Sequence, residues 1–477
     1  MGNSVLWIRN DFRFHDNTAL INAINDIKDN ENLIFIYHLD PELINIETTS
    51  YAYFFSSLNS FYESCLKKGL DIYFLYGEIL TCFDTLLNEF SNIDKIYYNI
   101  IECGYGKSQE QKLNRFLKRK NVEVFSFYDH HLHSANKVLK EDNSHYKVFT
   151  HYYNKWMCSK KPEEQNIDYA KLSEIILSDF SKKDPIGKEK FIELRNLLNN
   201  DFSMFIGEEN ARECLADFMN AKLCSYNENR EYPFLDGTSH LSHYLTTGQL
   251  SVREVFNAAT MMPFSLGKEI FIKELAWRDF YNMIYYFHPN QHNEEIIEKY
   301  RCINWEYDEG NFIKWKSGLT GFPIIDAAMR QLSEEGWMHN RLRMITASFL
   351  IKDLLIDWRL GEKYFSEMLI DYDIASNIGG WQWAASVGTD AVPYFRIFNP
   401  ITQSKKYDPE GKFIKRYVKE LKDIPTQYIH EPFKFKKQLE ENYGIDIKKL
   451  YVSPIVDHKT QRQKALEMVG CIMKLNS

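Results

Sequence analysis

In KELAWRDFY, residues 273–281, Glu274, Trp277, Arg278 and Tyr281 fall at i, i+3, i+4 and i+7, on one face of a helix. A Glu–Arg pair beside a core Trp explains that spacing as well as a ligand-facing stripe does. GWMHNRLRMITASFLIKDLLIDW, residues 336–358, reads as one long helix with Leu342, Ile345 and Phe349 toward a core. Asn340 and Met344 share another face, and Arg341 and Arg343 point elsewhere. Asn or Arg inside such a helix costs free energy unless a core hydrogen bond or a ligand partners it. DYDIASNIGGWQWA sets Asp371, Tyr372, Asp373 and Asn377 ahead of Trp381 and Trp383. Two carboxylates with no neighbouring His or third acid make a poor metal set, and no metal is expected. A glycosidase carboxylate pair would need a sugar cleft, for which nothing else here speaks. GTSHLSHYL, residues 237–245, places Thr238, Ser239, His240, Leu241 and Ser242 before a helix. Such a start either attracts phosphate or is capped by its own hydroxyls. GGWQWAASVGTDAVPYFRIFNP, residues 379–400, contains no His, Cys, Lys or Glu, so it offers no nucleophile with its base.

These segments need a scaffold. A chain of 477 residues implies two or three domains, and 44% hydrophobic with 26% charged residues describes a globular protein. SVLWIR (4–9), NLIFIYHL (32–39), DIYFLYG (71–77), DKIYYNI (94–100) and VEVFSFY (122–128) read as strands buried on both faces. Helical patterns between them imply a parallel, Rossmann-like sheet with right-handed crossovers. The loop after the first strand, RNDFRFHDN, has neither GxGxxG nor GxxxxGK[ST], which disfavours a nicotinamide site and a P-loop. Residues 135–204 turn polar and irregular, as an interdomain linker does. From 205 to 477 the pattern is helical, broken at several places including the Gly379–Gly380 stretch. The expected division is an α/β domain at 1–134, a linker at 135–204 and an all-α domain at 205–477.

Composition narrows the function classes. Eight scattered Cys without a CxxC pair suit a reducing compartment, and charges precede any apolar run long enough for a signal peptide. A cytoplasmic, membrane-free protein is expected. Net charge is −8, yet residues 396–422 carry eight basic and three acidic side chains. That strip is a solvated helix face, or a phosphate-facing one if bases are recognised nearby. Aromatic content of 15%, with 9 Trp, means large cores or a cleft that stacks flat ligands.

Together the quoted strings resemble the DNA photolyase/cryptochrome family, and within it the class I branch of bacterial type acting on cyclobutane pyrimidine dimers. The resemblance is close from GTSHLS to HEPFKF and traceable from LWIRNDFRFHDN through YKVFT. It implies an α/β antenna domain joined to an all-α domain that holds FAD, which works as FADH⁻. Tyr226, Thr238, Ser239, Leu241 and Ser242 match the phosphate-contacting loop. His240 stands where relatives often have Arg. Arg278, Asn340, Arg343, Asp371, Tyr372, Asp373 and Asn377 match positions around the cofactor, with Arg343 and Asp371 as a buried ion pair and Asn377 beside the flavin N5. The expected reaction is light-driven electron transfer to a flipped-out dimer, chemistry that belongs to the cofactor and needs no protein nucleophile.

The same resemblance assigns the remaining roles. Glu274 hydrogen-bonds the pyrimidine edge, and Asn340, Met344 and Asn377 line the pocket. Trp277, Tyr281 and Trp383 stack on or border the bases, and Arg230, Arg341 and Gln403 contact the backbone of double-stranded DNA. Trp305, Trp358 and Trp381 match an electron-hopping triad; from sequence alone each is equally a core indole. A monomer is expected. Methenyltetrahydrofolate is the usual antenna, but IIECGYGKSQEQ and HPNQHNEEI lack its usual contact residues. The rival reading is a cryptochrome-type blue-light photoreceptor; Asn377 and the short stretch after HEPFKF favour repair. A six-four photolyase is disfavoured because Met338–His339–Asn340 lacks an adjacent His pair.

Overall fold

The computed structural model describes residues 2–28, 31–198, 202–391, 393–394 and 396–475. All five expected strands form: β1 (Gly2–Ile8), β2 (Glu31–Leu39), β3 (Tyr73–Tyr76), β4 (Ile93–Asn99) and β5 (Glu123–Phe127). They make one parallel sheet in the order β3-β2-β1-β4-β5. The crossover helices are α1 (Thr18–Asp26), α2 (Thr49–Lys67), α3 (Ile79–Glu89) and α4 (Gly104–Arg119). The inner strands β1 and β2 are buried through runs such as Val5–Ile8 and Leu33–Ile36, as two covered faces require. VEVFSFY departs from expectation. As the end strand, β5 has no fully buried residue, and its Phe125 stacks on Tyr97 at 4.9 Å instead of lying in a closed core.

The chain folds into two compact units. One comprises Met1–His145, His151–Cys224 and Ser239–Tyr286, and the other Tyr146–Thr150, Ser225–Thr238 and Phe287–Ser477. Thus the helical stretch Ser239–Tyr286 groups with the sheet. Part of the polar 135–204 stretch does too: its positions 199–201 lie outside the described residues, but it forms α5 (Tyr169–Ile175) and α6 (Ile186–Leu197). Leu172, Ile175, Phe191 and Leu194 from these helices enter the sheet's core. Helix α6 lies against β3. Gly187 makes that approach possible, since a Cβ there would come within 1.8 Å of the Phe74 carbonyl oxygen.

The second unit is helical. Its site-bearing helices are α7 (Asn340–Ser348), α8 (Trp358–Met368) and α9 (Ile374–Ala385). The 336–358 stretch is therefore not one helix. After Ser348 the coil widens into a π turn over Phe349–Asp353, and Leu355 takes φ 61°, in the left-handed region. Asp357 then caps a new helix by accepting from the Arg359 N–H at 3.0 Å. Gly379 and Gly380 sit inside α9 and make no turn.

Candidate functional site

Each unit carries part of the expected constellation. In the first, a helix over Leu266–Phe287 bears Glu274, Trp277, Arg278 and Tyr281, all half-buried. Trp277 stacks on Tyr281 with centroids 5.6 Å apart and meets Phe280 edge-on at 5.5 Å. Arg278 donates to the carbonyls of His130 and, at 3.4 Å, Leu245. It thereby staples three backbone segments of this unit. Glu274 and Arg278 are i,i+4, but the Arg fork is spent on carbonyls. His240 has φ 52°, an uncommon conformation for a side-chain-bearing residue, and Ser239 accepts from the Leu241 N–H at 3.4 Å. The helix after GTSHL is only one turn, Ser242–Thr246.

In the second unit, α9 decides most of the geometry. Asp373 caps it, accepting from the Ser376 N–H at 2.7 Å. Asp373, Asn377 and Gly380 then recur at i, i+4 and i+7 on one half-buried face. A Cβ on Gly380 would meet nothing within 4 Å. That face offers amide and carboxylate donors and acceptors beside a shallow, side-chain-free stretch of helix, which suits a flat polar ring. Asn377 does not stand alone: its amide nitrogen donates to Glu362 Oε1 at 3.0 Å, and the Tyr372 hydroxyl donates to the same oxygen at 3.2 Å. Burial raises the Glu362 carboxyl above its usual range, while these two hydrogen bonds pull it back.

Arg343 and Asp371 do pair. One guanidinium nitrogen reaches both carboxylate oxygens, at 3.0 and 2.9 Å, and Nε donates to the Met338 carbonyl at 2.8 Å. Asp371 is nearly covered, whereas Arg343 is 25% exposed, so the pair is half-buried. Asn340 opens α7 and is exposed, which corrects its expected place within a long apolar helix; His339 is the cap, accepting from the Arg341 N–H. Met344 is half-buried. Arg341 is held by Glu231 and lies 4.6 Å over the Tyr407 ring, and Arg230 lies 5.1 Å over the Tyr226 ring.

The two indoles of the WQW triplet face opposite ways. Trp381 is 2% exposed and packs edge-on to Phe365 at 5.0 Å, while half-buried Trp383 meets Phe398 at 6.5 Å. Helices α8 and α9 approach closely because residue 361 is Gly: a Cβ there would lie 2.2 Å from the Trp381 ring. Trp358 is fully buried at the start of α8. A single bridge between Glu306 and Ile356 brings the half-exposed Trp305 segment beside it.

Three contributors escape sequence reasoning. Gln382, between the indoles, is fully buried; its amide donates to the Gln291 and Glu294 carbonyls at 2.8 and 3.0 Å and accepts from the Ile296 N–H at 3.0 Å. Glu362 positions Asn377. Lys352 donates to Ser386 Oγ at 2.9 Å and the Arg396 carbonyl at 3.3 Å, and burial lowers its amine to about 8. A polar residue at a helical core position is the available signal, and Gln382 and Lys352 both carry it.

At the antenna positions the polar groups are engaged within their own unit. Glu110 pairs with Arg9 and accepts from the Ile101 N–H at 2.7 Å, Glu102 accepts from the Ala135 N–H at 2.7 Å, and the Tyr105 hydroxyl reaches Asp40 at 2.7 Å. Among the described residues no His/Cys/Asp/Glu group suits a metal ion, and no helix is long and apolar enough to cross a membrane.

The chain thus joins a parallel α/β sheet to a helical unit that carries a capped polar helix face, buried indoles and an arginine–carboxylate clamp. The family model described as the FAD binding domain of DNA photolyase matches residues 271–470, and that described as DNA photolyase matches residues 4–168. The chain belongs to the DNA photolyase family, and it binds FAD. It is 45% identical to the deoxyribodipyrimidine photo-lyase of Alkalihalophilus pseudofirmus, across 98% of both chains, and 34% identical to that of Escherichia coli, again across 98% of both. Among solved structures it is similar to a bacterial class III photolyase from Agrobacterium tumefaciens, with TM-score 0.89, 31% identity and 99% and 98% coverage. An archaeal photolyase from Sulfolobus tokodaii with two FAD molecules gives TM-score 0.83 at 29% identity, covering 98% of this chain and all of that one.

Proposed function

We propose that this protein is a light-driven deoxyribodipyrimidine photo-lyase that splits cyclobutane pyrimidine dimers in double-stranded DNA. The observation that supports this best is the α9 face, where Asn377 is fixed by a half-buried Glu362 and Gly380 leaves the helix open, just after Asp371 of the Arg343–Asp371 clamp. When bound, reduced FAD supplies the light-excited electron donor. The chain's own residues bind and orient. Asp373 and Asn377 hold the ring system by polar contacts, Arg343 is kept aligned by Asp371, and Tyr226, Thr238, Ser239, His240, Leu241 and Ser242 fix the phosphate side; Arg278, set by the His130 and Leu245 carbonyls, contributes to cofactor binding from the helix that bears Glu274. Glu274 donates or accepts at the dimer's carbonyl edge, and Asn340 and Met344 contribute to binding the dimer. Trp277, Tyr281 and Trp383 receive the extruded bases, with stacking worth roughly 1–3 kcal/mol per base. That repays the few kcal/mol of unstacking, which is least for a damaged pair. Arg230, Arg341 and Gln403 reach phosphates, conferring affinity without sequence choice. Trp381, Trp358 and Trp305 form the relay that re-reduces oxidised cofactor, with exposure rising from the buried pair to half-exposed Trp305. The protein acts as a cytoplasmic monomer.

The test is illumination of a duplex carrying one thymine dimer with purified, reduced holoenzyme. Dimers lost in light and retained in darkness support the reading. Retained dimers under light, with FAD bound, would leave a photoreceptor instead. Trp305→Phe should slow photoreduction of oxidised FAD while repair by pre-reduced enzyme stays intact.

A further inference from the structure

Trp358 is fully buried, yet charge surrounds it. Its indole Nε1–H donates to Glu295 Oε1 at 3.2 Å. The other Glu295 oxygen accepts from Arg359 at 2.8 Å, and the Glu295 side chain is only 3% exposed. The Arg359 guanidinium carbon lies 4.8 Å from the Trp358 ring centroid and also pairs with Asp357 at 3.1 Å. Two carboxylates and one guanidinium thus leave a net negative charge about the indole, with a carboxylate on its only polar hydrogen. A main-chain carbonyl can satisfy a buried indole N–H without burying an acid, as Thr346 does for Trp315; Trp156 also donates to a carboxylate, Asp279 at 2.8 Å, and what is particular to Trp358 is that its acid is itself held by a guanidinium lying over the same ring. Nothing is left to chance in the placement of Glu295. Its segment is pinned by Gln382 through Gln291, Glu294 and Ile296.

We infer that Glu295 is a positioning residue for Trp358 as an electron relay: it fixes the ring by the N–H bond and stabilises the positive charge the ring carries after giving up an electron. This rests on the relay reading above. Oxidised FAD, when bound, would draw one electron in light, and Trp381 would supply it. Trp358 gives one to Trp381, which returns to neutral, and Trp358 then bears a single positive charge. The Nε1 proton stays in place, shared with Glu295 in a hydrogen bond that strengthens once its donor is charged. Trp305 finally supplies one electron to Trp358, which returns to neutral, and half-exposed Trp305, left as a radical cation, releases its indole proton to solvent and remains as the long-lived neutral radical. The guanidinium over the ring face opposes the charge, and the carboxylate outweighs it because it touches the atom from which the charge is felt most strongly in a poorly screened interior.

The test uses the FAD-loaded protein and three variants. Trp358→Phe should stop photoreduction. Glu295→Gln keeps an acceptor oxygen and removes the charge, so the yield of long-lived Trp radical in transient absorption should fall about tenfold, about 1.4 kcal/mol. The Trp358 indole N–H resonance, assigned by its loss in Trp358→Phe, should move upfield in the same variant, even in darkness. Glu295→Asp keeps the charge and should retain at least a third of the yield. A Gln variant within twofold of the unmodified protein, or an Asp variant as impaired as the Gln variant, would overturn the role of Glu295 while leaving the relay standing. Unchanged photoreduction in Trp358→Phe would overturn the relay, and this inference with it.

Discussion

Replacing Gln382 with Met is the sharpest probe of what holds the indole-bearing helix. The substitution keeps an unbranched side chain of similar length and removes three hydrogen bonds at once. Gln382 is fully buried, so water cannot simply take over. Leaving a buried polar group unpaired costs about 1–3 kcal/mol. The Gln291 and Glu294 carbonyls and the Ile296 N–H would all be orphaned, two of these bonds reaching partly solvated groups. A loss of about 3–4 kcal/mol results, allowing for partial rehydration. Against total stabilities of about 5–15 kcal/mol this is large. Urea unfolding of the FAD-loaded protein would measure it, and amide exchange at Ile296 would localise it. Gln382→Glu adds a sharper sign: a carboxylate keeps the Ile296 acceptor but faces two carbonyls, so it should be worse than Met at neutral pH and recover on acidification. A Met variant within about 1 kcal/mol of the unmodified protein, with Ile296 still protected, would refute the pin.

Further outcomes follow from other contacts. Gly361→Ala should destabilise the protein by about 1–3 kcal/mol and shift Trp fluorescence, because its Cβ would enter the Trp381 ring space; an unshifted spectrum would contradict the close packing. Asp371→Asn should weaken FAD retention at least tenfold, measured by release of flavin fluorescence on dilution, since Arg343 loses its charged partner. Lys352 has a folded value of about 8 against about 10.5 in the unfolded chain, so the unfolded state binds more protons between these values and stability rises with pH across that window. Relative to Lys352→Met, the unmodified protein should gain roughly 3 kcal/mol between pH 7.5 and 10.5. A pH-independent difference between the two would show that the amine is not buried as a cation.

Much of this was legible in the chain because it is local. Alternating apolar runs predict all five strands, and the 200° between Trp381 and Trp383 on a helix places them on opposite faces from spacing alone. Asp357 ahead of Trp358 is an N-cap signal within IDWR, which a search for long apolar periodicity overrides. The illegible part is long-range. Gln382 meets partners about 90 positions earlier, and Glu295 meets Trp358 63 positions later. No local pattern distinguishes these from ordinary polar residues. The burial of β5 failed for a long-range reason: β3 and β5 both end the sheet, but α6 lies against β3, which stays buried over Tyr73–Leu75, and nothing in a strand's own composition tells whether such cover arrives.

The close approach at Gly187 bears on how this protein behaves in concentrated solution. An end strand such as β3 is a template on which a second chain can add a strand. Here a helix from the polar 135–204 stretch occupies that flank, and it does so only because one hydrogen replaces a methyl group above the Phe74 carbonyl. A bulkier residue at 187 would lift the helix and bare the flank. The first symptom would be association between copies of the protein, long before any loss of flavin or of light response.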